Sequence, residues 1–306
     1  MELCGSAADC MEGERVMEIN GKTRVCGLIG NPVEHTLSPM IHNTLAEILG
    51  HNMVYVPFLV EPGRVAEAVT GAKALNLLGL NVTVPFKSDV IASLDEIDDL
   101  AGNIGAVNTL VRTESGYKGY NTDMEGLYRA MTGEGIRLDG EQIILLGAGG
   151  AARAVAYLCA VKGAERVYML NRTPGKAQTV AAEVNRTVGR EVILPMATEE
   201  YGKLPEGKFL AIQGTSVGLA PHVDDVIISD DSFYEKIHTG FDLIYSPWET
   251  RFMKLTRAHG GRAYNGLKML LYQGIIAYEL WNRVNVSEMD ARIVYEKLKG
   301  CFIDAD

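Results

Sequence analysis

At 306 residues the chain exceeds one ordinary domain of roughly 100–200 residues, so two domains with a cleft between them are expected. Hydrophobic residues make up 47% and charged residues 22%, near the globular average, which excludes disordered, collagenous and fibrous chains. The net charge of −10, from 29 basic against 39 acidic residues, offers no basic field to a polyphosphate and argues against nucleic acid as a partner.

In chain order, residues 1–22 read as an extension. They carry Glu2, Asp9, Glu12 and Glu14 and lack the basic and apolar segments of a secretory signal, which points to a cytoplasmic protein. The five cysteines, Cys4, Cys10, Cys26, Cys159 and Cys301, are scattered without CxxC spacing or a Cys/His cluster, as in a reducing compartment and with no metal site. From residue 23 to 123, β-branched runs at 25–29, 53–59, 78–84 and 107–112 alternate with helices beginning at Pro39, Arg64 and Ser88. That alternation predicts βαβ units and a mainly parallel sheet. A second series, over 124–266, has strands at 142–146, 166–170, 192–194, 209–213 and 241–244 and a helix over 174–188. The stretch 143–161 is apolar, but Gly147, Gly149, Gly150 and Arg153 interrupt it, so it reads as strand, turn and helix rather than a membrane span. Helices over 267–283 and 287–299 follow, the second opened by Ser287 with Asp290 three residues on, like a capping box. These helices, within 267–306, are expected to return to and complete the first domain.

The segment Gly147-Ala148-Gly149-Gly150-Ala151-Ala152 follows a buried strand and opens a helix. It matches GxGxxG/A in the context that makes this pattern informative. The glycines let the backbone approach a pyrophosphate, and the helix N-terminus stabilises it with unpaired N–H groups and its dipole. A Rossmann-type dinucleotide domain is therefore expected. An NAD site wants an acid about 20 residues further on; here that place reads Asn171-Arg172-Thr173, with Lys176 close by, which suits the 2′-phosphate of NADP.

In the first half, Gly30-Asn31-Pro32-Val33-Glu34-His35-Thr36-Leu37-Ser38-Pro39 sets two hydroxyls at a helix entry, with Ser38 expected as N-cap and Pro39 as N1. Such an entry can hold a carboxylate, and capping alone would also explain it. Taken singly, Lys87 is a helix-start lysine, Asp123 and Asn121 are turn formers, and His35 and His42 are surface residues.

The ordered set changes that reading. After the hydroxyl segment come Asn81-Val82-Thr83-Val84-Pro85-Phe86-Lys87, Gly105-Ala106-Val107-Asn108-Thr109 and Gly119-Tyr120-Asn121-Thr122-Asp123. Then follow Thr215-Ser216-Val217-Gly218, Tyr245-Ser246-Pro247 with Thr250, and Asn265-Gly266-Leu267 with Met269, Leu270 and Gln273. Together these motifs, spanning residues 25–281, resemble the shikimate dehydrogenase family. The resemblance implies a two-domain α/β enzyme that reduces 3-dehydroshikimate to shikimate with NADPH, acting on a small molecule as a monomer or homodimer with no membrane attachment. It implies Lys87 and Asp123 as the catalytic pair. Thr36 and Ser38 would bind the carboxylate, and Asn81, Thr83, Asn108 and Gln273 the ring hydroxyls, with Tyr245 facing the substrate. Gly147, Ala148, Gly149, Gly150, Ala151, Asn171, Arg172, Thr173 and Lys176 would hold the cofactor, with Thr215, Gly266 and Met269 near the nicotinamide. A lysine ordinarily keeps its proton at neutral pH and a nearby carboxylate favours that form, so the two are expected to act as a coupled pair.

Two positions depart from the family pattern. Thr36 stands where shikimate-specific members usually carry Ser, and Gln213 where Asn is usual. An NAD-preferring quinate/shikimate dehydrogenase is the nearest alternative, which Thr36 leaves open and Asn171-Arg172-Thr173 opposes. A folate-type dehydrogenase would leave Thr36, Ser38 and Gln273 unexplained, and a catalytically silent sensor of this fold would be expected to lack Lys87 or Asp123.

Overall fold

The computed structural model describes residues 19–303, so most of the expected extension, with Cys4 and Cys10, lies outside the described residues. Two six-stranded sheets organise the chain. The first is built from β1 (Arg24–Gly30), β2 (Met53–Leu59), β3 (Gly79–Val82), β4 (Glu96–Ile97), β5 (Thr109–Arg112) and β6 (Tyr117–Tyr120), in the order β2-β1-β3-β5-β6-β4. Between these strands run α1 (Ser38–Ile48), α2 (Val65–Ala74), a 3₁₀ turn (Asp89–Ser93) and α3 (Asp99–Ile104). After α4 (Thr122–Gly133) the second sheet collects β7 (Gln142–Leu146), β8 (Arg166–Asn171), β9 (Ile193–Ala197), β10 (Phe209–Gln213), β11 (Ile237–Asp242) and β12 (Arg262–Tyr264). Its helices are α5 (Gly150–Val161), α6 (Pro174–Val188), α7 (Asp231–Tyr234) and α8 (Arg251–Ala258), and the chain closes with α9 (Leu267–Asn282) and α10 (Glu288–Ile303).

The second sheet pairs in parallel throughout, in the order β12-β11-β10-β7-β8-β9. This is the doubly wound dinucleotide arrangement, and its order reverses between β7 and β10. The reversal opens a crevice beyond their carboxyl ends, where the turn after β7 and the loop after β10 diverge. Strands buried on both faces read as unbroken apolar runs, as β7 does with Ile143, Ile144, Leu145 and Leu146 all buried.

The first sheet departs from the expected mainly parallel form. β1 pairs in parallel with β2 and β3, but β3–β5 and β5–β6 are antiparallel. For β5–β6 the cause is local: Thr113-Glu114-Ser115-Gly116 turns the chain back, with Thr113 N–H donating to the Gly116 carbonyl at 2.8 Å and Gly116 at φ 144°. The consequence is functional, because the register sets Asn81 beside Thr109 and Thr109 beside Tyr120, stacking the ends of three separate motifs. The helix expected from Ser88 is only the 3₁₀ turn.

Helices α9 and α10 pack on the first sheet, sharing a core with Cys26, Leu28, Ile41, Leu45, Met53 and Tyr55. The inward face of α9 repeats at helical spacing through Leu267, Leu271, Ile275, Tyr278 and Trp281. Trp281 Nε1 donates to the Leu110 carbonyl at 2.9 Å, against Gly79, where a Cβ would stand 2.0 Å from that nitrogen. The start of α10 has the expected cap, with Ser287 Oγ accepting from Asp290 N at 3.1 Å. No helix among the described residues is long and apolar enough to cross a membrane.

Candidate active site

A cavity of about 450 Å³ lies at the carboxyl ends of β1 and β3. Thr36, Ser38, Asn81, Thr83, Lys87, Asn108, Asp123, Tyr245 and Gln273 all line it, together with His35, Leu37, Met269 and Leu270. Lys87 Nζ donates to Asp123 Oδ2 at 2.7 Å, and both side chains remain partly open to solvent. The backbone brings them together: Val107 N–H donates to the Lys87 carbonyl at 2.7 Å, while Asn121 caps α4 by accepting from Met124 N at 3.3 Å. Asp123 therefore sits in the first turn of α4, where the helix dipole favours a carboxylate.

Behind that pair is a closed amide network. Asn108 Nδ2 donates to Asp123 Oδ1 at 2.9 Å and to Thr122 Oγ1 at 3.0 Å. Its Oδ1 accepts from Thr122 N at 2.7 Å and from Thr109 Oγ1 at 3.1 Å. Asn81 Nδ2 donates to the Asn108 carbonyl at 3.2 Å and to Thr109 Oγ1 at 3.0 Å. Buried amides with every group partnered hold one orientation, so the cavity presents fixed polar atoms.

Ser38 is not the N-cap expected from sequence. The cap position is Leu37, with no side-chain cap bond, and Ser38 is the first helical residue, its hydroxyl accepting from Thr36 Oγ1 at 3.2 Å. The backbone donors of this entry are already partnered, with Ser38 N–H donating to Thr36 Oγ1 at 3.3 Å and Met40 N–H to the Leu37 carbonyl at 3.1 Å, so what it offers a ligand is the two hydroxyls that line the cavity. Gln273 is set by a close helix crossing: a Cβ on Gly126 of α4 would stand 2.6 Å from the Gln273 backbone nitrogen. Sequence reading missed Tyr55, which lies in none of the motifs, and gave no role to Thr109 and Thr122, which lie within two of them; all three brace the site from behind. It also placed His42 at the surface, whereas His42 is fully buried, stacks on Tyr55 with centroids 4.2 Å apart, and is pushed by burial down to about 3, hence neutral.

A second cavity of about 830 Å³ adjoins the first across His35, Leu37, Ala151, Leu243 and Tyr245. Ala148, Gly149, Gly150, Asn171 and Thr215 line it, with Ser216, Leu219, Cys301 and Phe302. Gly147 has φ 111°, and a Cβ there would meet Thr215 at 2.7 Å. At Gly149 and Gly150 a Cβ would meet nothing within 4 Å, so their backbone faces open space, and Gly149 caps α5 with no side-chain bond. Free N–H donors at a bare helix start, in a crevice of this size, fit the pyrophosphate of a dinucleotide. Met269 lines the first cavity rather than the second. Gly147, Arg172, Thr173, Lys176 and Gly266 line neither; Arg172, Thr173 and Lys176 are exposed beside Asn171, and a Cβ on Gly266 would stand 2.1 Å from the Leu243 carbonyl oxygen.

Gln213 now has a structural account. It is buried, its Nε2 donates to the Val217 carbonyl at 3.0 Å and its Oε1 accepts from Thr215 N, so it braces the loop that carries Thr215. Asp242 braces the next loop, with Oδ1 accepting from Ile244 N at 3.0 Å and Oδ2 from Thr250 Oγ1 at 2.6 Å. Those two bonds tie together the ends of the segment bearing Leu243 and Tyr245. Burial pushes its carboxyl up to about 6. Among the described residues no group of His, Cys, Asp and Glu is disposed to hold a metal ion.

Residues 28–110 match the shikimate dehydrogenase substrate binding domain family, and residues 130–197 match the shikimate / quinate 5-dehydrogenase family. The NADP(+) shikimate dehydrogenase of Desulforamulus reducens is 44% identical over 266 residues, covering 86% of this chain and 91% of the relative. A shikimate dehydrogenase solved in complex with NADP+ superposes with a TM-score of 0.84 at 36% identity, covering 94% of this chain and 99% of that one. The shikimate 5-dehydrogenase of Listeria monocytogenes, solved with shikimate and NAD, superposes at 0.85 with 28% identity, covering 93% and 100%. With the ordered motifs gathered around one cavity and a glycine turn opening beside it, the chain belongs to the shikimate dehydrogenase family.

Proposed function

We infer that this chain catalyses the reversible NADPH-dependent reduction of 3-dehydroshikimate to shikimate, a step of aromatic amino acid biosynthesis. The observation that carries the reading is the Lys87–Asp123 pair at 2.7 Å in a small cavity of hydroxyls and amides that opens onto a bare helix start. Bound NADPH supplies the hydride to the ring ketone. Lys87 Nζ delivers the proton to the carbonyl oxygen in reduction and recovers it in oxidation, while Asp123, held by Asn108, orients the ammonium. Thr36 and Ser38 grip the carboxylate at the start of α1; Asn81, Thr83, Asn108 and Gln273 meet the ring hydroxyls, with Tyr245 against the ring. Gly147, Ala148, Gly149, Gly150 and Ala151 cradle the pyrophosphate, Asn171, Arg172, Thr173 and Lys176 take the adenosine 2′-phosphate, and Thr215, Gly266 and Met269 shape the nicotinamide end. We read residues 23–123 with 267–306 as the substrate half and 124–266 as the cofactor half of a cytoplasmic enzyme. We read the working enzyme as a monomer or a homodimer.

Initial rates with shikimate and quinate, each against NADP and NAD, test this reading. The largest kcat/KM is expected for shikimate with NADP; a maximum for quinate with NAD overturns it. Arg172→Ala tests the cofactor choice separately. Charge-assisted bonds to a phosphate are worth roughly 1.5–3 kcal/mol, so NADP should bind about 10- to 150-fold more weakly while NAD is nearly unaffected. Equal losses for both cofactors would remove Arg172 from 2′-phosphate recognition.

A further inference from the structure

We propose that Tyr55 is a positioning residue of the substrate site: it fixes the amide of Asn81 so that Asn81 can meet a substrate hydroxyl only as an acceptor. The proposal rests on the shikimate reading of the cavity and assigns a task to a side chain outside the cavity lining.

Tyr55 lies in the middle of β2, fully buried, and its hydroxyl donates to Asn81 Oδ1 at 2.8 Å. The other side of that amide is already committed. Both N–H bonds of Asn81 go to acceptors, the Asn108 carbonyl and Thr109 Oγ1, and the Thr109 hydroxyl has acceptors for its own proton in Asn108 Oδ1 and Thr122 Oγ1. Turning the Asn81 amide over would set its oxygen against the Asn108 carbonyl oxygen, two acceptors facing each other in a buried site. One lone pair of Oδ1 is left for a ligand, and an acceptor at that place selects a hydroxyl that can donate.

The Tyr55 hydroxyl cannot swing away, because α1 holds the residue at both ends. Asn43 accepts from the Tyr55 backbone N–H at 2.8 Å and donates to its carbonyl at 3.2 Å. His42, the preceding residue, stacks flat on the ring with centroids 4.2 Å apart and an interplanar angle of 17°. Neither ring nitrogen of His42 has a hydrogen-bond partner and burial keeps the imidazole neutral, so it packs as a flat plate against the Tyr55 ring, with the Asn81 side chain as a polar neighbour. Burial holds the phenol well above its ordinary range, which keeps the donated proton in place at every working pH. One residue thus couples α1, which carries Ser38, to β3, which carries Asn81.

Tyr55→Phe deletes the hydroxyl and keeps the ring stacked on His42. The expected result is a rise of about tenfold in KM for shikimate, with kcat changed less than threefold and Kd for NADP unchanged, since the lost bond orders ground-state recognition. In an Asn81→Ala background the same substitution should leave the KM for shikimate unaltered, because the group that Tyr55 positions is gone. A Tyr55→Phe enzyme with a lowered Tm but wild-type KM makes Tyr55 a core residue only and overturns the proposal. So does a full additional loss in the Asn81→Ala background. Assays at 10 °C with saturating NADP keep a weakened fold populated, so the kinetic comparison is still made. Running both series with quinate separates the two inferences: activity confined to quinate defeats the shikimate reading, while the dependence of KM on Tyr55 is still read on that acid.

Discussion

Lys87→Ala should lower kcat by roughly 10²- to 10⁴-fold, the usual contribution of a general acid–base group, while shikimate Kd changes little. The expectation follows from geometry: Nζ is the cationic group in the cavity held by a carboxylate that is itself oriented from behind by Asn108. Asp123→Asn keeps the shape, removes the charge that orients Nζ, and leaves an amide opposite Asn108 Nδ2. Both kcat and binding should fall. In the double variant the losses should not multiply, as groups acting through one contact do not contribute independently. The measurement is kcat across pH with shikimate Kd by titration. A folded Lys87→Ala enzyme that turns over near the wild-type rate would place the proton transfer elsewhere.

Asp242→Asn should stabilise the fold increasingly as pH rises, an effect on stability rather than rate. The carboxyl of Asp242 is fully buried and raised by that burial to about 6 from an unfolded value of 3.8, so the folded state holds its proton more tightly than the unfolded chain. Its contribution is fully present below pH 3.8 and is lost as pH rises through about 6. A difference of about two pKa units corresponds to roughly 3 kcal/mol. The asparagine cannot ionise. Its oxygen still accepts from Ile244 N, and the Thr250 hydroxyl can turn to accept from the amide. Relative to wild type the variant should therefore gain roughly 2.5 kcal/mol between pH 4 and pH 7.5, part of the full difference having been lost already by pH 4, read by urea unfolding at several pH values. A constant difference would show that Asp242 titrates in its ordinary range.

How much of this was legible in the sequence depends on whether the signal was local. The glycine turn was, because Gly147-Ala148-Gly149-Gly150 between an apolar run and an alanine-rich helix allows few conformations, and the switch between β7 and β10 follows from it. Only the ordered motifs point to Gln273 and Tyr245, both of which line the cavity. What stayed hidden depends on pairing across the chain. The antiparallel β5–β6 hairpin came from four turn residues without an Asn-Gly or Asp-Gly signal, yet it sets Asn81, Thr109 and Tyr120 side by side. Ser38 carries the composition of a cap and sits one residue too far along to be one. His42 gives no sign in sequence that three aromatic side chains surround it, and its burial is a tertiary fact.

The close crossing of α4 over α9 at Gly126 has a consequence for how this enzyme can be altered. Position 126 lines neither of the two cavities, so a survey of their lining residues would treat it as free to vary, and an alanine there would normally favour a helix. Here the added methyl would meet the backbone of Gln273 at 2.6 Å, and the helix as a whole would have to move. Met269 and Gln273 ride on that helix, one turn apart, and both line the first cavity, so a displacement of a few tenths of an ångström would reshape it at two places together. Laboratory evolution toward bulkier acids would do better to enlarge the cavity at Leu270 or Val33, whose side chains line it without serving as the spacer between two helices.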